Sequence, residues 1–203
     1  HDPDDPSSKA KLMVPPTGHV AGVWSKTDAN RGVWKAPAGI GAIVGGALNT
    51  EFEVTDSFQD VLNPEGINCI RKRAGSVVVW GARTLNTNIS DHKYISVRRT
   101  MMMIKESVHD GMQWAVFEPN DHKLWSSIRL NIENFMAGLH RAGAFQGEKA
   151  SDAYFVRCGL GQTMTQTDID LQRCDRIGSR QRITDGLIKG GKRGTGHQQQ
   201  PSP

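Results

Sequence analysis

The amino-acid sequence predicts an α/β fold, layered sheets flanked by helices, and three observations carry that expectation. The run Val77-Val78-Val79-Trp80 is apolar at every position, which suits a strand covered on both faces. Apolar residues recur at alternating spacings of three and four through two long segments, one starting near Tyr94 and one near Asn120, the signature of amphipathic helices. Helical segments of this kind alternate along the chain with short buried runs, the order of a layer structure. No internal repeat is visible.

The elements follow in order. Residues 2–16 read as a polar, Pro-rich loop. Thr17 can cap a helix in which Val20, Val23, Trp24 and Thr27 share one side, and Gly32 ends it. Gly18, Ala21, Gly22 and Ser25 form another side, small enough for a second backbone to approach. Pro37 and Gly39 then bend an ordered loop. Thr55 or Asp56 caps a short helix to Leu62, closed by Asn-Pro-Glu-Gly. "INCIRK" and "SVVVWGAR" are strands around a turn at Ala74-Gly75.

Val97, Met101, Ile104 and Val108 define the next helix, ending near Gly111, and "WAVFE" (114–118) reads as a further buried strand. Asn120 or Asp121 caps a long helix whose stripe is Trp125, Ile128, Ile132, Phe135, Met136 and Leu139. Gly143 stops it, with His140 and Arg141 in the last turn, where the helix dipole favours positive charge. The stripe is expected to pack on the strands at 77–80 and 114–117. "AYFVRC" (153–158) is the last strand.

At 203 residues with 37% apolar content the chain can bury a real core. No apolar run approaches the roughly 20 residues of a membrane span, so no membrane insertion is expected. Cys69, Cys158 and Cys174 are too few and scattered for a disulfide framework or zinc site, and fit a reducing compartment. The net charge of +4 is uneven. Residues 171–203 hold seven Lys/Arg against Asp175 and Asp185, so the rest sums to about −1. A basic tail can bind phosphate backbones, but this one has no aromatic residues for base stacking, and nucleic acid is not the expected partner.

Candidate chemistry is thin. "GIGAIVG" (39–45) mimics a dinucleotide loop, but it follows Ala-Pro-Ala rather than a strand and lacks the distant acidic partner, so no cofactor is expected. The histidines at 19, 92, 109, 122 and 140 show no metal-ligand spacing. Glu118 and Asp121 flank a turn where a hydrolase could place an acid/base pair, yet a carboxylate there also serves as a helix cap. Met101-Met102-Met103 cannot all face one core, because successive helical residues point about 100° apart. Together with Arg98 and Arg99 they leave side chains facing outward.

Four long blocks carry more information than any spacing: "VPPTGHVAGVWSKTDANRGVWKAPAG", "LNPEGINCIRKRAGSVVVWGARTL", "YISVRRTMMMIKESVHDGMQWAVFEPNDHKLWSSIRLNIENFMAGLHRAGAFQG" and "AYFVRC". In this order they closely resemble the C-terminal half of contractile phage tail sheath proteins, a family shared with R-type pyocins and related injection systems. The resemblance covers residues 13 to 170. It implies a non-enzymatic, virion-tail subunit, assembled in the bacterial host cytoplasm, that forms a homo-oligomeric helical array around a tail tube. The array then contracts to drive the tube through a target envelope. Residues 1–90 correspond to the end of the core domain, called subtilisin-like for its fold, and 91–170 to the C-terminal domain, which lies toward the tube. The implied partners are other sheath subunits, the tube protein and the baseplate. Arg98, Arg99, Met102 and Lys105 are the candidate contacts. Catalytic, cofactor and metal residues are expected to be absent; a hydrolase using Glu118/Asp121 and a nucleic-acid-binding tail are the alternatives.

Two departures from the family pattern generate expectations. The sequence starts inside the pattern, which suggests a fragment. After Asp170 the family continues with an apolar strand, whereas residues 171–203 hold six glycines, seven basic residues and a closing "HQQQPSP". An aberrant, disordered tail arising from a frameshift near residue 171 is expected. It would leave an open sheet edge beside 153–158 and an assembly-defective chain.

Overall fold

The computed structural model describes residues 12–86, 92–170 and the short strand 188–190. Two compact units divide at Met101/Met102. Helices and strands are mixed, with small two-stranded sheets rather than the broad layers expected.

The first unit is built on a hairpin. Strands β1 (Cys69–Arg73) and β2 (Ser76–Trp80) pair antiparallel, with Arg71 opposite Val78. Ala74 and Gly75 both have positive φ, 48° and 80°, the backbone of the two-residue turn that matches strand twist. Segment 39–44 runs along the other edge of β2: Val44 N–H donates to Val77 O at 2.8 Å, and Val79 N–H donates to Ala42 O at 3.0 Å. No helix opens directly after this glycine-rich stretch, so it lacks the geometry of a dinucleotide loop.

One face of the sheet presents Val77 and Val79 to Val23 of α1 (Thr17–Arg31), with Ala42 and Val44 completing the cluster. On the other face lies α2 (Asp56–Leu62), whose Gln59 Nε2 donates to Trp80 O at 3.0 Å. Val77, Val78 and Val79 are all buried, as the unbroken apolar run predicts. Thr55 caps α2 by accepting from Phe58 N–H. Gly32 ends α1 with φ 84° and donates its N–H to Asp28 O.

Two details of α1 differ from expectation. Pro16, not Thr17, is the N-cap residue, and it makes no side-chain cap bond. The small-residue side is exposed: a Cβ at Gly18 or Gly22 would meet nothing within 4 Å, so no second backbone approaches there within the described residues.

The second unit centres on α4 (His122–Arg141), packed with the C-terminal part of α3 (Ile95–Gly111). Trp125, Ile128, Ile132 and Met136 are buried and Phe135 and Leu139 half-buried, in a cluster with Ile104, Val108, Met112, Cys158 and Met164. The helix starts as foreseen, Asp121 Oδ1 accepting from Leu124 N–H at 2.8 Å. It ends in a Schellman turn: Gly143 N–H donates to His140 O and Ala144 N–H to Leu139 O.

Three expectations are corrected here. Residues 113–117 form a 3-10 helix, not a strand; Met112 and Ala115 turn inward while Phe117 is 97% exposed. Three-residue spacing of the buried side chains is the cause, since a strand would bury every second one. Val77 and Val79 belong to the first unit's cluster with Val23, Ala42 and Val44, whereas the α4 stripe, expected on 77–80, belongs to the second unit's own cluster. Finally, Ala153 ends the short helix α5 (Ala150–Ala153), so strand β3 is confined to Tyr154–Val156, and one of its two edges is paired. It pairs antiparallel with β4 (Ile188–Gly190), Phe155 opposite Lys189. The remaining tail expectations, on residues 171–187 and 191–203, lie outside the described residues.

Candidate assembly surface

Helix α3 carries all four candidate contact residues. Arg98, Met102 and Lys105 stand at i, i+4 and i+7 and so share one side of the helix. Arg98 is exposed and Met102 is 54% exposed, whereas Lys105 is half-buried. Met103 packs against the α4 cluster, so the methionine triplet divides between core and surface as its spacing requires.

Arg99 points elsewhere. Its guanidinium grips Asp28 with both prongs, Nη1–Oδ1 2.9 Å and Nη2–Oδ2 2.5 Å, and lies 4.9 Å from the Trp24 ring centroid. Arg99 therefore braces α1 against the start of α3. Spacing alone gave no sign of this, since 71 residues separate the pair.

A second ion cluster joins α2 to the hairpin. Arg71 Nη1 meets Asp56 Oδ1 at 2.8 Å, and Arg73 reaches the same oxygen. The hydrogen bond from Arg71 holds the Asp56 carboxyl below its ordinary value, against a smaller opposing effect of burial. These residues border a polar cleft of about 620 Å³ that also includes Glu51, Glu53 and Lys72. Burial pushes the Cys158 thiol up to about 11.

Glu118 and Asp121, the hydrolase pair, line neither of the two main clefts. Asp121 is committed to the α4 cap, Glu118 sits exposed at the end of the 3-10 helix, and neither lines the polar cleft. Nor does either line the apolar groove between Val108, Met112, Trp114 and Ile132. Among the described residues no cluster of His, Cys, Asp or Glu is placed to hold a metal ion. No helix among them is long and apolar enough to cross a membrane.

Exposed apolar side chains are more telling. Helix α2 is turned inside out, burying Gln59 while Phe58 and Val61 are 62% and 69% exposed. Leu48, Phe52 and Phe117 are also largely exposed.

Known proteins sharpen the picture. The phage tail sheath protein central domain matches residues 2–85, and the phage tail sheath C-terminal domain matches residues 87–169. The helical sheath of the anti-feeding prophage in the contracted state is 39% identical, with a TM-score of 0.74 over 91% of this chain and 48% of that one. The sheath complex of the extracellular contractile injection system PVC, also contracted, is 37% identical, with a TM-score of 0.75 over 90% and 48%. The tail sheath protein of Vibrio phage KVP40 is 28% identical over 64% of this chain and 20% of its own length. The chain thus spans about half the length of the solved relatives and less of the phage protein. The family is structural rather than enzymatic. With two of that family's domains matching in consecutive order, the chain belongs to the phage tail sheath family.

Proposed function

We propose that this protein is a structural subunit of a contractile sheath, stacking with copies of itself around a tail tube and shortening to drive the tube into a target envelope. The observation that carries this reading is the overlap of nine-tenths of the chain with contracted sheath subunits at 37–39% identity. The outward Phe58, Val61 and Phe117 fit it, because a subunit of a large array keeps apolar side chains for its neighbours. Arg98, Met102 and Lys105 of α3 are assigned to contacts with tube or neighbouring sheath, and the baseplate is a further partner. Arg99 serves these contacts indirectly, by fixing α3 on α1.

A tagged copy of the chain, produced in cells making its native contractile particle, tests this directly. Recovery of the tag with sheathed particles after density-gradient separation is the expected result. Tag found only in the soluble fractions, with intact sheaths alongside it, would overturn the assignment.

A further inference from the structure

Strand β1 carries an edge that the sheet does not use. On β2, Val77 and Val79 bond to segment 39–44, where Gly39 N–H also donates to Val79 O at 2.9 Å. Successive strand residues turn their backbone groups to opposite sides, so Ser76, Val78 and Trp80 serve β1. Their partners Arg73, Arg71 and Cys69 take those bonds, and the N–H and C=O of Ile70 and Lys72 point away from the sheet. Among the described residues no backbone group pairs with them. The polar cleft lies along this edge. Its lining joins Arg71, Lys72 and Arg73 to segment 49–56 and includes no residue of β2.

The edge is basic, with three cations in succession and Asp56 as their ion-pair partner among the described residues. Residues 51–54, Glu-Phe-Glu-Val, lie in neither helix nor strand, yet they alternate acidic and apolar with a strand's period of two. Glu51, Phe52 and Glu53 are exposed, Phe52 at 73%. Among the described residues neither glutamate has an ion-pair partner. The segment bends at Glu51 and makes no backbone bond to the edge of its own subunit, so both surfaces stay available. We infer that Glu51–Val54 of a second copy adds to β1 as an extended strand. Both glutamates then share the face of Arg71 and Arg73, where opposite charges across strands are stabilising. Phe52 and Val54 fall on the face of half-buried Ile70, beside Val77 and Val79. An open strand edge supplies the backbone ladder, and the charge pattern selects what adds to it. The inference stands on strand pairing and charge and not on the sheath role, which its failure would leave in place.

The experiment uses the full chain and fluorescein-labelled peptides of residues 48–55, read by fluorescence anisotropy. The native peptide should bind, and more weakly in about 0.5 M NaCl. A peptide with Glu51→Lys and Glu53→Lys should bind at least tenfold more weakly. So should a peptide N-methylated at Phe52 and Glu53, since one of two successive N–H groups faces β1 in either strand direction. Equal affinity of the three peptides, or no binding of the native one, would overturn the inference. Sedimentation velocity of the full chain is an independent measure. The double variant Glu51→Lys, Glu53→Lys, which alters only exposed side chains, should weaken concentration-dependent self-association at least tenfold. Self-association unchanged in the variant, or a parent chain that stays monomeric, would count against a second copy. Native peptide binding the double variant but not the parent would show that the chain's own segment closes the edge, and would overturn the exchange between copies.

Discussion

Arg99 and Asp28 form a two-pronged ion pair, Nη1–Oδ1 2.9 Å and Nη2–Oδ2 2.5 Å, with both side chains about three-quarters buried. A paired geometry of this kind is stronger than a surface bridge, and the Trp24 face adds a cation–π contact. Arg99→Met should cost about 1–3 kcal/mol in urea unfolding. Asp28→Asn should cost less once Arg99 is gone, because the two act as a unit. Fully additive losses in the double-mutant cycle would show the pair is not coupled.

The same pair separates folding from assembly on α3. Exposed Arg98 makes no comparable contact among the described residues, so Arg98→Glu should leave stability within about 0.5 kcal/mol of the parent. In a full-length homologue that substitution is expected to lower sheath yield at unchanged subunit stability. Arg99→Glu would lower both, since it sets two carboxylates together beside Trp24. Unchanged yield for Arg98→Glu would remove it from the contact surface.

Ile128 and Met136 are fully buried at the centre of the α4 cluster. Truncation there leaves a cavity that the surrounding helices only partly close. Ile128→Ala should cost about 2–5 kcal/mol, measured as a shift in urea midpoint. Leu130, on the opposite side of the same helix and 59% exposed, should tolerate Ala within about 0.5 kcal/mol. Similar losses at both positions would contradict the assigned helix face.

Local chemistry explains which elements were legible. The α4 stripe, its Asp121 cap and its Gly143 stop all lie within one helix, where period and capping rules apply directly. The 3-10 segment at 113–117 is not legible in the same way, because a short apolar run fits a strand as well as a tight turn of helix. The signal lay in the spacing of Met112 and Ala115, not in the run. The Asp28–Arg99 and Asp56–Arg71 pairs join residues far apart in sequence, and no periodicity reports such meetings. Strand β4 escaped because Ile188-Lys189-Gly190 is too short and glycine-rich to read as a strand without its partner.

The hairpin offers a stabilising substitution. Ala74 sits at φ 48°, a left-handed conformation that its Cβ disfavours, followed by Gly75 at φ 80°. Asparagine tolerates this conformation better and, before glycine, suits such a turn. Ala74→Asn should raise stability by about 0.5–1 kcal/mol in thermal unfolding. A neutral or destabilising result would mean that the turn relaxes to another type.

Asp56 supplies the pH test. Its carboxylate lies beside Arg71, whose side chain is 7% exposed, with Arg73 on the same oxygen. The Arg71 hydrogen bond and the two nearby cations outweigh the burial effect and keep the folded pKa below the ordinary 3.8. A depressed folded pKa means that the unfolded chain takes up the proton first as pH falls. The stabilisation is therefore fully present above pH 3.8 and lost as pH drops through the lower folded value. Asp56→Asn keeps an oxygen acceptor for Arg71 but removes the charge. The variant should unfold at lower urea than the parent at pH 6, with the gap closing below pH 3.8. An equal gap at pH 6 and pH 2.5 would assign the effect to shape rather than charge. No gap at pH 6 would remove this pair from the forces that hold α2 against the hairpin.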